Sequence, residues 1–496
     1  MRRLAFLLGG STVLLLTTAA HIGSPDTWFE GTAGPYSVRI LVRAPGVIPG
    51  LADVVIRVTG DGVSAVTASP AGYNAGDRGI PPADTAKAVP GQPGSWTVPL
   101  WIMAPGSYSV RVTVAGTRGR GTAIVPVSAV ATRVLDMDPR LGWILAVFGL
   151  FLFAGAVTIV GAAVRESVLP PGETPDPRRR TKARLAMGGG AGLFVVLLAG
   201  GKTWWDAVDR DYRRGLDRRW EASAEVVSSG GTPLLRFTIA DSVWRGRSGR
   251  DRAATPLIPD HGKLMHLFLV REDDAGAFGH LHPVSIDSAT FESPLPPLPA
   301  GRYRVFADVT HESGFARTLV ATVELPPPGV ATAALDPDDA WFVGPPVDSV
   351  APLLGGARLV WEGRPDRIAA DADAGLRFVV READGSIGMV EPYLGMSGHA
   401  VVMREDGKVY VHLHPMGTIS AAAQVAFRER LPSDTAWGTL GGRLTASQQL
   451  GGDHPMTMEG RIEFPYAFPD AGNYRIWVQV RRKGRVETAG FRATVR

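Results

Sequence analysis

Two long apolar runs constrain this chain of 496 residues more than any other feature of its sequence. Residues 141–163 carry no charged side chain, and they are long enough to cross a bilayer as a helix. Residues 185–203 form a second, glycine-rich run that ends beside Trp204 and Trp205, a residue type that favours the membrane interface. Because backbone polar groups in lipid must bond within their own segment, the sequence predicts two transmembrane helices.

The segment between these runs predicts their orientation. Residues 164–184 contain six lysine and arginine side chains, so the positive-inside rule places this loop in the cytoplasm. Everything before the first helix and after the second then lies outside the cytoplasm. We therefore expect a protein of the bacterial inner membrane with soluble domains in the periplasm. The charged residues 206–220 are predicted to form a juxtamembrane helix.

The first 20 residues have the pattern of a secretory signal peptide, with Arg2 and Arg3 before an apolar stretch that ends in small residues. Cleavage after Ala20 would make His21 the new N-terminus. Its α-amine and imidazole could then chelate one copper ion as a pair of nitrogen donors. In the alternative, cleavage falls elsewhere or the segment stays as an anchor.

Composition excludes several classes of function. The chain has no cysteine, so disulfides and thiolate ligands are excluded, and histidine, methionine and carboxylate remain for metal chemistry. The net charge is only +4, and arginine is dispersed over polar strands, so we expect no nucleic-acid partner. Motifs for an activated nucleophile or a phosphate-binding loop are absent from the sequence, and we do not expect an enzyme.

Outside the apolar runs the sequence is typical of antiparallel β-sandwiches. Short alternating segments are separated by proline and glycine turns, first in residues 21–137, then in 221–326 and finally in 355–496. Residues 327–354 are predicted to be a linker. The expected fold class is mainly β: three immunoglobulin-like antiparallel β-sandwich domains plus two transmembrane helices.

Each predicted sandwich contains the pattern Gly-x-Tyr at the start of a strand. The three copies are Gly106-Ser107-Tyr108, Gly301-Arg302-Tyr303 and Gly472-Asn473-Tyr474. A tyrosine at this position resembles the tyrosine corner of immunoglobulin-like folds, in which the hydroxyl bonds to upstream backbone. The pattern describes a fold and carries no function by itself.

A histidine motif occurs twice, as His280-Leu281-His282-Pro283 and as His412-Leu413-His414-Pro415. Alternate side chains of a strand point to the same face, so both histidines of each motif share a face. Each motif is preceded by another histidine, His266 or His399.

Turn signals predict how these histidines pair. The dipeptide Asp406-Gly407 is typical of a hairpin turn, and counting outward from it places His399 opposite His414. If the first hairpin is centred on Asp274, His266 lies opposite His282 in the same way. Each hairpin would then present three imidazoles on one face, with neighbours about 5 Å apart.

Such a face suits a metal ion, because neutral imidazoles are common metal ligands and protonated ones would repel each other. The predicted ligands are His266, His280 and His282 in one domain and His399, His412 and His414 in the next. In the alternative, these histidines are buried hydrogen-bonding residues that hold the hairpins together.

The neighbouring methionines favour copper over zinc. Six of the eleven methionines lie between Met389 and Met458, and Met396 and Met416 flank the second set of histidines. Thioether together with imidazole, without thiolate, suits copper better than zinc. His261 and His311 are candidate extra ligands of the first cluster. Core packing is the alternative role for the methionines.

The two histidine hairpins, each followed by a Gly-x-Tyr strand, resemble the YtkA-like and FixH-like group of envelope β-sandwiches. Some members of that group are associated with metal handling. His21 at the start of a sandwich is similar to the N-terminal histidine of CopC-like periplasmic copper carriers. The resemblance covers short stretches of the two C-terminal domains and is weak for the first domain.

The sequence thus predicts a membrane-anchored periplasmic protein that binds copper or a similar transition metal for buffering, delivery or sensing. In the alternative, the chain is a non-enzymatic envelope scaffold or interaction protein, which binds an envelope protein partner and whose histidines are structural. A third hypothesis is a copper redox enzyme that uses His21. The first domain has no second histidine to complete such a site.

Overall fold

The structure is a computed structural model that describes residues 21–23, 26–73, 79–170, 172–242, 244, 255–273, 275–328, 335–363, 365, 367–431, 433–434, 436–450 and 457–496. The predicted signal peptide, residues 1–20, lies outside the described residues. The chain divides into two compact units. One contains residues 46–48 and 130–218, and the other contains the remaining β-rich parts of the chain.

The first unit contains two helices, α1 (Pro139–Glu166) and α2 (Pro177–Arg214), and both are long and apolar enough to cross a membrane. Asp176 accepts a hydrogen bond from the Arg179 N–H, and with Pro177 at the first helical position this starts α2 inside the predicted loop. Helix α2 then continues through the second apolar run and ends before Gly215. The predicted juxtamembrane helix is therefore a continuation of α2, six residues shorter than expected.

The second unit begins with a two-sheet domain. Strands β2, β3, β4, β8 and β7 form one sheet, and β10, β9, β5 and β6 form the other, with antiparallel pairing throughout. The bounds are β1 His21–Ile22, β2 Asp26–Ala33, β3 Tyr36–Arg43, β4 Gly50–Thr59, β5 Val63–Gly72, β6 Asp84–Thr85, β7 Lys87–Ala88, β8 Ser95–Ile102, β9 Gly106–Gly116 and β10 Gly119–Ala129.

The next domain also has two sheets. One contains β11, β12, β17 and β16; the other contains β13, β18, β14, β15 and β20, with β19 also paired to β18. The bounds are β11 Ala222–Ser229, β12 Thr232–Ile239, β13 Leu257–Ile258, β14 His266–Arg271, β15 Ala277–Leu281, β16 Val284–Ser285, β17 Thr290–Pro294, β18 Gly301–His311, β19 Ala316–Leu325 and β20 Ala340–Val343. Strand β20 lies inside the predicted linker, which is therefore partly structured.

The last domain has a sheet of β1, β26, β25, β29 and β30 and a sheet of β21, β22, β23 and β28, with a short β24–β27 pair. The bounds are β21 Val350–Pro352, β22 Arg358–Trp361, β23 Leu376–Arg381, β24 Met389–Val390, β25 His399–Arg404, β26 Val409–Leu413, β27 Met458–Glu459, β28 Arg461–Phe464, β29 Gly472–Arg482 and β30 Arg485–Val495. Helices α3 (Ala421–Glu429) and α4 (Thr439–Leu450) follow β26.

All three predicted tyrosine corners are present. Tyr108, Tyr303 and Tyr474 each donate the phenolic hydrogen to the carbonyl oxygen four residues upstream, at 3.0, 2.8 and 2.8 Å. The glycine two residues before each tyrosine has a φ between 137° and 147°, which side chains rarely tolerate. The Gly-x-Tyr pattern is thus explained by backbone geometry, and the predicted sandwich class is confirmed.

The predicted register of both histidine hairpins is confirmed. Leu267 pairs with Leu281 and Ala400 pairs with Leu413, so the next positions outward bring His266 opposite His282 and His399 opposite His414. Asp274, the predicted centre of the first turn, lies outside the described residues.

Strands β14, β15, β25 and β26 are buried on both faces. One face of each hairpin packs into the core of its own domain, as Leu267 and Val402 do. The opposite faces of the two sheets that contain these hairpins pack against each other through aromatic pairs, with Phe306 stacked on Tyr410 at 3.9 Å and Phe278 stacked on Trp477 at 4.7 Å. The histidines lie on these opposed faces, so the two domains enclose them jointly.

Candidate metal centre

The two predicted histidine clusters form one cluster. Rings of the last two domains approach each other directly: the centroid of His412 lies 5.5 Å from that of His266 and 5.7 Å from that of His280. Six members are at most 9% exposed, and a seventh, His261, has a side chain that is 11% exposed. The seven are His261, His266, His280, His282, His399, His412 and His414.

The first hairpin places three donor atoms together. One ring nitrogen from each of His266, His280 and His282 lies within 4.8 Å of the other two. Nδ1 of His266 and Nε2 of His280 are only 3.1 Å apart. Two nitrogen ligands of a tetrahedral ion with bonds of about 2.0 Å are about 3.3 Å apart, so this separation fits a shared ion.

Hydrogen bonds to the far side of each ring define which nitrogen carries the proton. His266 Nε2 lies 3.2 Å from the carbonyl oxygen of Asp260, and His282 Nδ1 lies 3.0 Å from Asp339 Oδ1. Both partners are acceptors, so these nitrogens are the protonated ones. His266 Nδ1 and His282 Nε2 are then left with free lone pairs.

His280 is oriented by the neighbouring domain. Its Nδ1 lies 2.8 Å from Gln479 Oε1 and 3.2 Å from the Tyr393 hydroxyl. Gln479 donates its amide hydrogen to Thr488, and Tyr393 donates its hydroxyl hydrogen to Asp338, so both oxygens accept from His280. The lone pair of His280 is then on Nε2.

Two unprotonated nitrogens therefore face each other at 3.1 Å in a buried place. Such a pair is repulsive unless a cation lies between the nitrogens. Nε2 of His282, the third donor, is buried and has no hydrogen-bond partner among the described residues. The donor set of three neutral imidazoles fits a borderline or soft transition-metal ion such as zinc or copper.

The second hairpin contributes to a different group. The three close donors of this group are His261, His399 and His414. His261, which belongs to the preceding domain, takes the place predicted for His412. The sequence predicts His261 as an extra ligand of the first cluster, whereas the structure places it with the second. His412 lies on the other side of His399, with its Nε2 3.2 Å from His399 Nδ1.

The remaining predicted site residues have other surroundings. His311 packs against the rings of Trp220 and Trp244 and bonds Thr255 O through Nδ1 at 2.7 Å, and it belongs to none of the three donor groups in the described residues. Met396 and Met416 are half-buried in the turns beside His399 and His414. The backbone of His21 forms part of β1, which pairs with β26.

Burial keeps the cluster neutral. It lowers the pKa of five histidines well below the ordinary 6.5, and the proximity of other histidines, which could not all be charged together, acts in the same direction; the five are His266, His280, His282, His399 and His412. Burial also lowers the pKa of His414 to about 4. These rings are therefore neutral at neutral pH, so each has one nitrogen that can bind a metal ion.

Two of the carboxyl groups beside the cluster have raised pKa values. Burial raises the pKa of Asp339, beside His282, to about 7, and raises that of Asp308, 3.4 Å from His412 Nδ1, to about 7. Asp339 also belongs, with Asp336 and His282, to a third group of close donors. A carboxylate that accepts from a ligand histidine fixes the tautomer of that histidine and increases its basicity.

Sequence reasoning missed Tyr393, Asp339 and Gln479, which orient the rings from distant parts of the chain. One signal was available. The runs Leu267-Phe268-Leu269-Val270 and Ala400-Val401-Val402-Met403 are apolar at every position, which indicates strands buried on both faces. That pattern could have predicted that each hairpin is covered by a second domain.

Comparison with known proteins gives a family model for this region. The model is described as a domain of unknown function, DUF8832, and it matches residues 223–326, 355–438 and 446–496. The match covers the two domains that carry the histidines. No curated protein matches the chain.

Solved structures show only distant similarity. Dimeric latent PorU from Porphyromonas gingivalis is 11% identical with a TM-score of 0.13, and the alignment covers 95% of this chain and 34% of PorU. The native E. coli alpha-2-macroglobulin is 9% identical with a TM-score of 0.19, covering 96% and 23%. The titin I-band fragment I67-I69 is 9% identical with a TM-score of 0.14, covering 91% and 94%. This chain thus spans about a third or less of the first two proteins.

Proposed function

We propose that this chain is a non-enzymatic, membrane-anchored periplasmic protein that binds a transition-metal ion for buffering, delivery or sensing. Copper is the preferred ion. The observation that carries the proposal is the close approach of three buried ring nitrogens, in which His266 Nδ1 and His280 Nε2 are 3.1 Å apart. His282 supplies the third donor. Two helices long and apolar enough to cross a membrane support the anchor.

The case for copper over zinc rests on the methionines beside the cluster. Met396 and Met416 lie in turns that adjoin His399 and His414, and a thioether that turned inward would add a soft ligand to the imidazoles. The periplasmic location rests on the basic loop between the apolar runs. Kinship with YtkA-like and FixH-like proteins, or with CopC-like carriers, stays a prediction.

The test is metal binding by the full chain in lipid nanodiscs. The protein is stripped with a chelator and titrated with copper and, separately, with zinc, while bound metal and melting temperature are measured. We expect a tightly retained ion and a higher melting temperature. A binding free energy linked to folding raises the stability by about 2.7 kcal/mol at 100 times Kd. If the protein retains no metal and its melting temperature is unchanged, the proposal is wrong.

A paired substitution separates metal binding from a purely structural role of the histidines. His280→Asn together with His282→Asn removes two donors of the first group, and we expect the fold to persist while that ion is lost. In the alternative function, an envelope scaffold or interaction protein, the same variant would lose its fold without any metal effect. The polar contacts between the last two domains, such as His280 to Gln479, are the observation that favours this alternative.

A further inference from the structure

We propose that His261, His399 and His414 form a second metal site, distinct from the first, which joins the last two domains of the chain. The inference rests on the proposed function and deepens it, because it assigns a second ion and gives that ion a role between domains. The site would take a borderline or soft transition-metal ion, since its three donors are all imidazoles.

The three rings form a nearly equilateral arrangement. Centroid separations are 5.7 Å from His261 to His399, 5.7 Å from His261 to His414 and 4.9 Å from His399 to His414. One nitrogen of each ring lies within 4.8 Å of the other two. The Nε2 atoms of all three are buried and lack a hydrogen-bond partner among the described residues. Three buried nitrogens without hydrogen-bond partners in one place form a donor set for a cation, and Asp260 Oδ1 lies 3.6 Å from one of them, His261 Nε2.

Hydrogen bonds on the far sides of the rings free two of these nitrogens. His414 donates its Nδ1–H to the carbonyl oxygen of Ile419 at 3.0 Å, so its lone pair is on Nε2. His412 Nδ1 lies 3.4 Å from Oδ2 of Asp308, and a proton on that nitrogen would leave Nε2 of His412 as an acceptor. His399 donates Nδ1–H to that acceptor at 3.2 Å, so the lone pair of His399 is also on Nε2.

This arrangement makes His412 a positioning residue of the second site, whereas its counterpart His280 supplies a donor directly to the first. The pair His399–His412 is thus a hydrogen bond between a protonated and an unprotonated nitrogen. In the equivalent pair, His266–His280, two unprotonated nitrogens face each other. The two hairpins have the same sequence motif and the same register but different chemistry.

His261 is supplied by a turn that has a counterpart in the other domain. The backbones of Asp260 and Lys263 bond each other, as do those of Tyr393 and Met396, and each turn ends three residues before a cluster histidine. His261 and Leu394 occupy the same position, with left-handed φ values of 51° and 52°. The apolar Leu394 offers no ligand, so only one of the two turns can complete a site.

The ligands of this second site come from both histidine-bearing domains. His261 lies just before β14, whereas His399 and His414 flank the second hairpin. An ion held by all three would connect two domains that also meet through an apolar and aromatic surface and through polar contacts such as that of His280 with Gln479. Metal binding at this site would therefore resist separation of the domains, which the first site, built on a single hairpin, does not need to do.

The test counts bound ions in matched variants of the full chain in nanodiscs. All variants carry His21→Ala, so that chelation at a new N-terminus is not counted. After stripping and loading with copper, the parent should retain two ions per chain and His261→Asn should retain one. Asparagine tolerates the left-handed φ of this position, so the turn is preserved. Leu394→Asn makes the same change in the counterpart turn and should retain two ions.

The outcomes separate this inference from the proposed function. A His261→Asn protein that melts like the parent without metal yet keeps two ions overturns the inference, and so does a parent that binds only one. A parent that binds no copper defeats the proposed function as well. If His261→Asn fails to fold, His414→Gln is the second variant, and it must lose one ion while His282→Gln loses the other.

Discussion

The two histidine hairpins of this protein are nearly identical in motif and register, yet they differ in which nitrogen carries each proton. In the first, the carbonyl of Asp260 accepts from His266 Nε2 and turns the lone pair of Nδ1 toward His280. In the second, Nε2 of His399 has no such acceptor among the described residues, and Nδ1 bonds His412 instead. The comparison shows that groups outside a motif determine what the motif can bind.

The sharpest way to break this comparison is to remove the equivalent histidine from each hairpin. We expect His280→Asn to weaken the first site by more than about 100-fold, because it removes a direct ligand, whereas loss of a supporting residue costs about 10–100-fold. His412→Asn should cost the second site only this smaller amount. Copper affinity of each variant is measured by competition with a chelator of known affinity. Equal losses of copper affinity at both sites would show that His280 and His412 have the same role in their hairpins.

Acid should destabilise the protein through the cluster as a whole. The folded state lowers the pKa of six histidines below 6.5, so the unfolded chain binds more protons as the pH falls from 6.5 toward 4. Each histidine removes about 1.4 kcal/mol of stability per pH unit. The raised pKa values of Asp308 and Asp339 oppose this loss between pH 7 and 4.

Six histidines outweigh two carboxyl groups, so the net loss can reach about 5 kcal/mol per pH unit in that window. Denaturant unfolding of the metal-free protein at pH 7.5, 6.0 and 5.0 checks this expectation. We expect little change above pH 7 and a steep fall below 6.5. The variant with His280→Asn and His282→Asn should show a shallower fall, and a slope equal to that of the parent would contradict the proposed neutral state of these rings.

Carboxyl groups next to the two hairpins should differ in their effect. Asp339→Leu removes the acceptor of a direct ligand, His282, and should weaken the first site about 10–100-fold. Asp308→Leu acts on the second site only through His412 and then His399, so its effect should be less than tenfold. Isothermal titration of the metal-free variants with copper gives both values. A larger loss for Asp308→Leu would reverse the assignment of the two sites.

The smallest expected effect belongs to Tyr393, which shares the Nδ1–H of His280 with Gln479. Tyr393→Phe leaves Gln479 in place and removes the hydroxyl bond to Asp338. We expect a loss of about 1 kcal/mol in unfolding free energy and only a few-fold loss of copper affinity at the first site. Thermal melting and copper competition measure these changes. Complete loss of the first ion would mean that Tyr393 is itself a ligand.

Sequence reasoning succeeded where short-range geometry decides the structure. Strand pleating and the Asp406-Gly407 turn were enough to predict the pairing of His399 with His414, and the Gly-x-Tyr pattern predicted three tyrosine corners. The joining of the two clusters could not be predicted in this way. Gln479 is 199 residues from His280 along the chain, and nothing local indicates that the two side chains meet.

The role of His261 was missed for the same reason. In the sequence it precedes His266 by five positions, which predicts a place beside the first hairpin, but its ring contacts His399 and His414 across the domain boundary. Hydrophobic periodicity does not indicate that a turn of one domain contacts another domain. The one available signal was the similarity between the turn that carries His261 and the turn Tyr393-Leu394-Gly395-Met396. The two turns have the same form but different residues at the tip.

Strand β1 has a practical consequence for anyone who purifies this protein. It runs parallel to β26, with His21 paired to Val409, three residues before His412 and about 10 Å away along the strand. A polyhistidine affinity handle fused ahead of His21 would be tethered close to the second hairpin and could capture the ion meant for it. Fusion after Arg496 avoids this artefact in any measurement of metal content.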